Sequence, residues 1–168
     1  MVRIRPYKSS DAPYLLKWLE DEKTVAFWKA DRFRWPLTSE QLDRYRADFE
    51  ADPQSCIFTV LDGEGSAFGH FSFRNIDYRE NTAHLGFIIT DPAARGKGLG
   101  RQMVSAALSY AFTMLSVGRV TLGVFRSNHP AVKCYEALGF IRMKQDSKFI
   151  DFHGESWEYF YMEKERDG

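Results

Sequence analysis

The residues best suited to chemistry in this chain form one run: Asp91-Pro92-Ala93-Ala94-Arg95-Gly96-Lys97-Gly98-Leu99-Gly100-Arg101. It falls between an apolar strand-like segment, 82–90, and an amphipathic helix pattern, 98–116, with Leu99, Met103, Ala106, Ala107, Tyr110 and Met114 on one face. Three glycines let backbone N–H groups crowd the helix N-terminus, where the helix dipole adds partial positive charge. Arg95, Lys97 and Arg101 add full charges. A diphosphate is the simplest ligand that uses both the amides and the cations.

Two common phosphate motifs fail on spacing. A P-loop needs GxxxxGK followed by Ser or Thr, and here Lys97 lies between Gly96 and Gly98. A dinucleotide fingerprint needs GxGxxG and an acid about 20 residues on, whereas the next acid after Asp91 is Glu136. The pattern Arg95-x-x-Gly98-x-Gly100 does match another family. A second block, Asn128-His-Pro-Ala131-Val-Lys-Cys-Tyr135-Glu136-Ala-Leu138-Gly139-Phe140, follows in the right order. On these two blocks the chain resembles the GCN5-related N-acetyltransferase (GNAT) superfamily. The likeness is sharpest over 82–141, and the opening residues are loosely similar to members that acetylate ribosomal-protein N-termini.

The resemblance implies an acetyl-CoA-dependent N-acetyltransferase acting on a primary amine by direct attack in a ternary complex. It places the coenzyme pyrophosphate on Arg95, Gly96, Lys97, Gly98, Leu99, Gly100 and Arg101. The acetyl carbonyl falls to backbone N–H groups near Phe87, Ile88 and Ile89, where Gly86 permits a distorted strand. Asn128 and Ala131 fall on the pantetheine or adenine arm, Asn128 reading also as a helix N-cap. Tyr135 becomes the general acid, although by spacing alone it reads as a core aromatic. The base is less conventional, because many relatives carry Glu where His84 stands. A neutral imidazole can serve, directly or through water; the alternative is a structural strand histidine. An even register around a 76–81 turn puts His70, Ser72 and His84 on one sheet face. Cys134 is not expected to carry the acetyl group, since no helix N-terminus or neighbouring cation evidently activates it. A non-catalytic acyl-CoA-binding or regulatory domain on the same fold is the alternative.

These residues need a frame. Val2–Tyr7 reads as a strand, with Ser10 and Asp11 capping a helix through Tyr14, Leu15, Trp18 and Leu19. Phe27, Trp28, Phe33 and Trp35 fall in an irregular connection and could form a substrate wall. Thr38 and Gln41 open a helix running to about Glu50. Strands follow at 56–61, 67–75 and 82–90, then the helix 98–116, a strand 119–126, a short helix 130–138, and strands 140–144 and 155–163. The expected class is α/β (α+β): one domain spanning 1–168, with a mixed, mostly antiparallel six- to seven-stranded sheet. Helices cover both faces, around a central parallel β-α-β crossover (82–90, 98–116, 119–126).

Composition agrees with such a domain. The chain has 168 residues, 44% of them hydrophobic, and its 23 basic and 23 acidic side chains cancel. Balanced charge argues against a nucleic-acid partner, and no apolar run approaches the roughly 18 residues of a membrane span. Two separated cysteines, Cys56 and Cys134, offer neither a disulfide framework nor a metal site, so a cytoplasmic protein without metal is expected. The acids Asp62, Glu64, Asp77 and Glu80 are compatible with a polyamine, an aminoglycoside or a peptide N-terminus as acceptor. The aromatic last strand, Trp157, Tyr159, Phe160 and Tyr161, either mediates a homodimer or covers the chain's own helices.

Overall fold

Alternating apolar side chains along the middle of the chain build a twisted sheet whose two faces bury separate cores. A computed structural model describes residues 1–29 and 32–168, including the backbone but not the side chain of Lys29. Among the described residues, eight strands form one sheet: β1 (Arg3–Pro6), β2 (Cys56–Leu61), β3 (Ala67–Asp77), β4 (Thr82–Thr90), β5 (Arg119–Phe125), β6 (Ile141–Arg142), β7 (Lys148–Phe152) and β8 (Glu155–Glu165). The order is β1-β2-β3-β4-β5-β8-β6, with β7 also paired to β8. Every pairing is antiparallel except β4 with β5.

Helices α1 (Ala12–Trp18), α2 (Glu22–Lys29) and α3 (Ser39–Ala51) share one core with Ile57, Phe87 and Ile89. Helices α4 (Leu99–Thr113) and α5 (His129–Ala137) cover the other face, over Phe71, Phe73, Leu85, Val120 and Leu122. On α4 the buried positions Met103, Val104, Ala107, Leu108 and Ala111 follow helical spacing. Met114, read from the sequence as part of that face, is the C-cap residue and is exposed.

Four sequence expectations need correction. The segment holding Phe27 and Trp28 is helical, not irregular: Asp21 accepts from Thr24 N at 2.8 Å and Thr24 Oγ1 at 2.7 Å, an N-terminal stop that starts α2. The sheet has eight strands rather than six or seven. The addition is β7, whose mostly exposed side chains leave little hydrophobic pattern to read. The strand expected at 140–144 shrinks to Ile141–Arg142.

The fourth concerns Asp11, which does not cap α1. Its buried carboxylate accepts two hydrogen bonds from the Arg5 guanidinium at 2.7 and 2.8 Å, one from Lys8 N at 2.9 Å and one from Thr59 Oγ1 at 2.8 Å. Burial opposes ionisation there, but the Arg5, Lys8 and Thr59 donors outweigh it and hold the carboxyl below its usual range. This network ties β1, β2 and the start of α1 together. Arg5→Ala is expected to cost about 2 kcal/mol in urea unfolding at neutral pH, because a buried carboxylate then loses its counter-ion while Arg5 itself is partly solvated. A loss indistinguishable from an exposed Arg→Ala change would refute that role.

Candidate active site

The parallel pairing of β4 with β5 covers only three residue pairs, Thr82 with Arg119, Ala83 with Val120 and His84 with Thr121. Beyond them the strands part, and among the described residues the β5-facing edge of Leu85–Thr90 has no strand partner. Across the other edge, Ser72 pairs with Gly86 but His70 pairs with Ile89, so β4 carries one extra residue. Phe87 absorbs it at φ 48°, a bulge made by a non-glycine residue. Bulge and divergence coincide.

A cleft of about 550 Å³ opens at this gap. Its walls include Gly86, Phe87 and Ile88 of β4, Gly123, Val124 and Phe125 of β5, Tyr135 and Asn128 at α5, and Tyr159 of β8. His84 and Arg74 line it from the face covered by α1–α3, while Tyr135 belongs to the α4–α5 core. The cleft therefore runs between the two faces of the sheet. Gly123 makes room for this floor: a methyl group there would overlap the Tyr159 hydroxyl.

Tyr135 is held by the end of its own helix. Gly139, at φ 92°, follows Leu138; Phe140 N donates to Tyr135 O and Gly139 N to Glu136 O, both at 3.0 Å, the two bonds of a Schellman closure. Phe140 then packs edge-on against the Tyr135 ring, centroids 5.8 Å apart. The Tyr-Glu-x-Leu-Gly-Phe spacing is thus a device that fixes one phenol. Burial, with smaller effects of Cys134 and Tyr159, pushes that phenol well above its usual range.

His84 Nδ1 lies 2.9 Å from Thr121 Oγ1, and its Nε2 stands 4.0 Å from where a Cβ on Gly86 would be. Ser72 Oγ is 3.8 Å from the same point, so the expected shared face for Ser72 and His84 holds. His70 shares that face but is sealed beneath it, its Nε2 2.8 Å from the Tyr45 hydroxyl and its ring edge-on to Tyr7 and Trp28. Burial lowers its pKa to about 3, so it stays neutral and does not act as a titrating base.

The glycine-rich run lies outside the cleft. Gly96 and Gly98 adopt φ 76° and 75° with open space at their Cβ positions, and Gly98 stands at the N-cap of α4. The first backbone bond returning to this turn is Gln102 N to Gly98 O, so the amides of Leu99, Gly100 and Arg101 precede the helical ladder. Arg95, Lys97 and Arg101 are exposed. Ile89 is buried under α1–α3 and does not line the cleft. Asn128 occupies the N-cap position of α5, yet its side chain makes no capping bond. Ala131 packs half-buried against the α4–α5 core.

Cys134 does have a cation nearby, contrary to expectation. Burial nevertheless pushes its thiol up, and Arg101 only opposes that rise. The acids suggested as acceptor ligands also sit elsewhere. Asp62 accepts from Glu64 N and Ser66 N at 2.9 Å, Asp77 from Arg79 N and Glu80 N at 2.9 and 3.1 Å, and all four expected acids are outside the cleft. Asp62 and Asp77 serve the turns in which Glu64 and Glu80 sit. Sequence reasoning missed Arg74, Asp48, Asp52 and Lys148 and gave Tyr159 another role; these line the cleft from β3, α3 and its C-cap, β7 and β8 and share no motif. Of the aromatic wall candidates, Phe27 and Trp28 line the cleft, Phe33 is buried against Trp28, and Trp35 is exposed. Strand β8 is interior to the sheet, with Trp157 and Phe160 buried in the chain's own cores.

Comparison with known proteins gives a consistent picture. The acetyltransferase (GNAT) domain family matches residues 2–141. The human alpha/beta-tubulin-N-acetyltransferase 9 is 27% identical over 157 residues, covering 86% of this chain and 74% of its own. The spermidine N(1)-acetyltransferase of Vibrio cholerae is 27% identical over 139 residues, 82% of this chain and 78% of its own. A crystal structure of spermidine N-acetyltransferase from Vibrio cholerae, in complex with CoA and spermine, superimposes with a TM-score of 0.85 at 22% identity, covering 98% of this chain and 95% of that one.

Proposed function

The chain belongs to the GNAT acetyltransferase family, and from that premise we propose that it transfers an acetyl group from acetyl-CoA to a primary amine by direct attack in a ternary complex, with Tyr135 as general acid and His84 as base. One observation carries the reading: a single cleft passes through the β4–β5 gap with Tyr135 on one side of the sheet and His84 on the other. A proton donor and a proton acceptor thus flank one reacting position from opposite directions.

The chain's residues suit the coenzyme. The α4 N-terminus, the open Gly96 and Gly98 turns and the cations Arg95, Lys97 and Arg101 suit a pyrophosphate, with Leu99 and Gly100 supplying further amides. Asn128 in the cleft wall and Ala131 on the first turn of α5 suit the coenzyme's pantetheine or adenine arm. Bound acetyl-CoA supplies the thioester carbonyl and a thiolate leaving group.

The unpaired edge near Phe87, Ile88 and Ile89 donates N–H groups to the carbonyl oxygen as charge builds there. With Nδ1 donating to Thr121, His84 presents Nε2 toward Gly86 as the basic nitrogen and takes the proton of the incoming amine. Tyr135 gives its phenolic proton to the departing sulfur. The raised Cys134 thiol supports direct attack over an acyl-enzyme.

Release of free thiol from acetyl-CoA with a panel of primary amines tests the reading. Amine-dependent release supports it, and tight coenzyme binding without release would leave only a binding domain. His84→Ala is expected to lower kcat/KM about tenfold at the optimum, since water can partly replace the base. The sign is set by the base having to be neutral: activity rises with pH on the acid limb, and that limb vanishes in the variant. An unchanged pH profile removes His84 from the mechanism.

A further inference from the structure

We propose that the acceptor amine carries a carboxylate, which Arg74 binds; this deepens the acetyltransferase reading and rests on it. Arg74 faces His84 directly across the β3–β4 ladder, so both side chains rise from the same sheet face, with Cβ atoms roughly 5 Å apart. Its guanidinium lies 5.5 Å from the Phe87 ring centroid and so leans along the sheet toward the Gly86 floor. It is half-buried in the cleft wall.

No carboxylate lies within ion-pair distance of it among the described residues. The two acids that line the same cleft are already engaged. Asp48 pairs with Arg32 at 2.5 Å, and Asp52 accepts from Ser55 Oγ at 2.6 Å and Gln54 N at 2.9 Å.

A half-desolvated guanidinium without a counter-ion among the described residues favours an anionic ligand, and its planar fork matches a carboxylate. Because Arg74 and His84 are nearest cross-strand neighbours, the carboxylate must lie only a few bonds from the reacting nitrogen. That describes a free amino acid or a peptide whose first residues are acidic. A polyamine would instead bring a second positive charge against Arg74.

The test compares four amines with acetyl-CoA: glutamate, a peptide with an acidic second residue, the same peptide with that acid amidated, and spermidine. The wild type is expected to prefer one of the two carboxylate-bearing amines over the amidated peptide and spermidine by about 10- to 100-fold in kcat/KM, and the preferred one separates free amino acid from peptide. Arg74→Gln should abolish the preference through KM, leaving kcat and the Kd for acetyl-CoA within about threefold, and Arg74→Lys should restore part of it. Equal use of acid and amide peptides with neither improved by glutamate's free carboxylate, a preference for spermidine, or an Arg74→Gln loss shared by all amines would overturn the inference while leaving the acetyltransferase reading intact. Turnover of no amine at all would overturn both.

Discussion

Tyr135→Phe is expected to lower kcat about 100-fold while leaving the Kd for acetyl-CoA within about threefold, because it deletes one proton donor and little else. The residue is 6% exposed, its backbone carbonyl anchors the Schellman closure, and Phe140 packs edge-on against its ring. Phenylalanine keeps all of that. Burial holds the phenol well above its ordinary range, so the acid form persists through pH 10. A general acid must be protonated to act, and ionisation of Tyr135 therefore imposes no loss of activity between pH 8 and 10. Steady-state kcat with saturating amine, alongside thermal unfolding of both proteins, checks the prediction. A fall in kcat of less than about threefold at unchanged stability would assign proton delivery to another group.

The second large effect concerns stability, and it comes from a histidine that chemistry does not use. Lowering the pH from 7 to 5 is expected to destabilise the protein by about 2 kcal/mol through His70 alone. The unfolded chain takes up a proton near the ordinary histidine value, whereas the folded ring, enclosed by Tyr7, Trp28 and Tyr45, resists protonation down to about 3. The unfolded state binds more protons throughout that window, so stability falls as pH falls. Asp11 works in a different range: its depressed carboxyl contributes fully above the unfolded carboxylate value and is lost only as pH drops through its lower folded value. The interval from pH 7 to 5 thus leaves Asp11 out, and the His70→Gln variant separates His70 from the other histidines. Urea unfolding of the wild type and of His70→Gln at both pH values should show the slope flattened in the variant. The same pH dependence in both proteins would place the proton uptake elsewhere.

The two histidines illustrate how far one dimension reaches. Both lie on strands of similar composition, and register arithmetic puts them on one face. Which one meets solvent depends on α2 and α3, since Tyr45 and Trp28 close over His70 while His84 turns to Thr121 beside the gap. Arg74 gained its place the same way. Its distance from His84 in sequence says nothing, yet the β3–β4 hairpin makes them direct neighbours.

What the amino-acid order determined by itself was local: the glycine turns at Gly96 and Gly98 ahead of α4, and the Leu138-Gly139-Phe140 closure that fixes Tyr135. Each is settled by residues a few positions apart, through φ preferences and short-range hydrogen bonds, so the family blocks were readable there. The tertiary structure alone decided the use of β4. Ala83, Leu85, Phe87 and Ile89 alternate as though they shared one buried face, but Ala83 and Leu85 enter the α4–α5 core while Phe87 and Ile89 enter the α1–α3 core. The bulge at Phe87 makes that switch, and β4 and β5 part beside it. Two cores competing for one strand set its register, a non-local balance that periodicity cannot express.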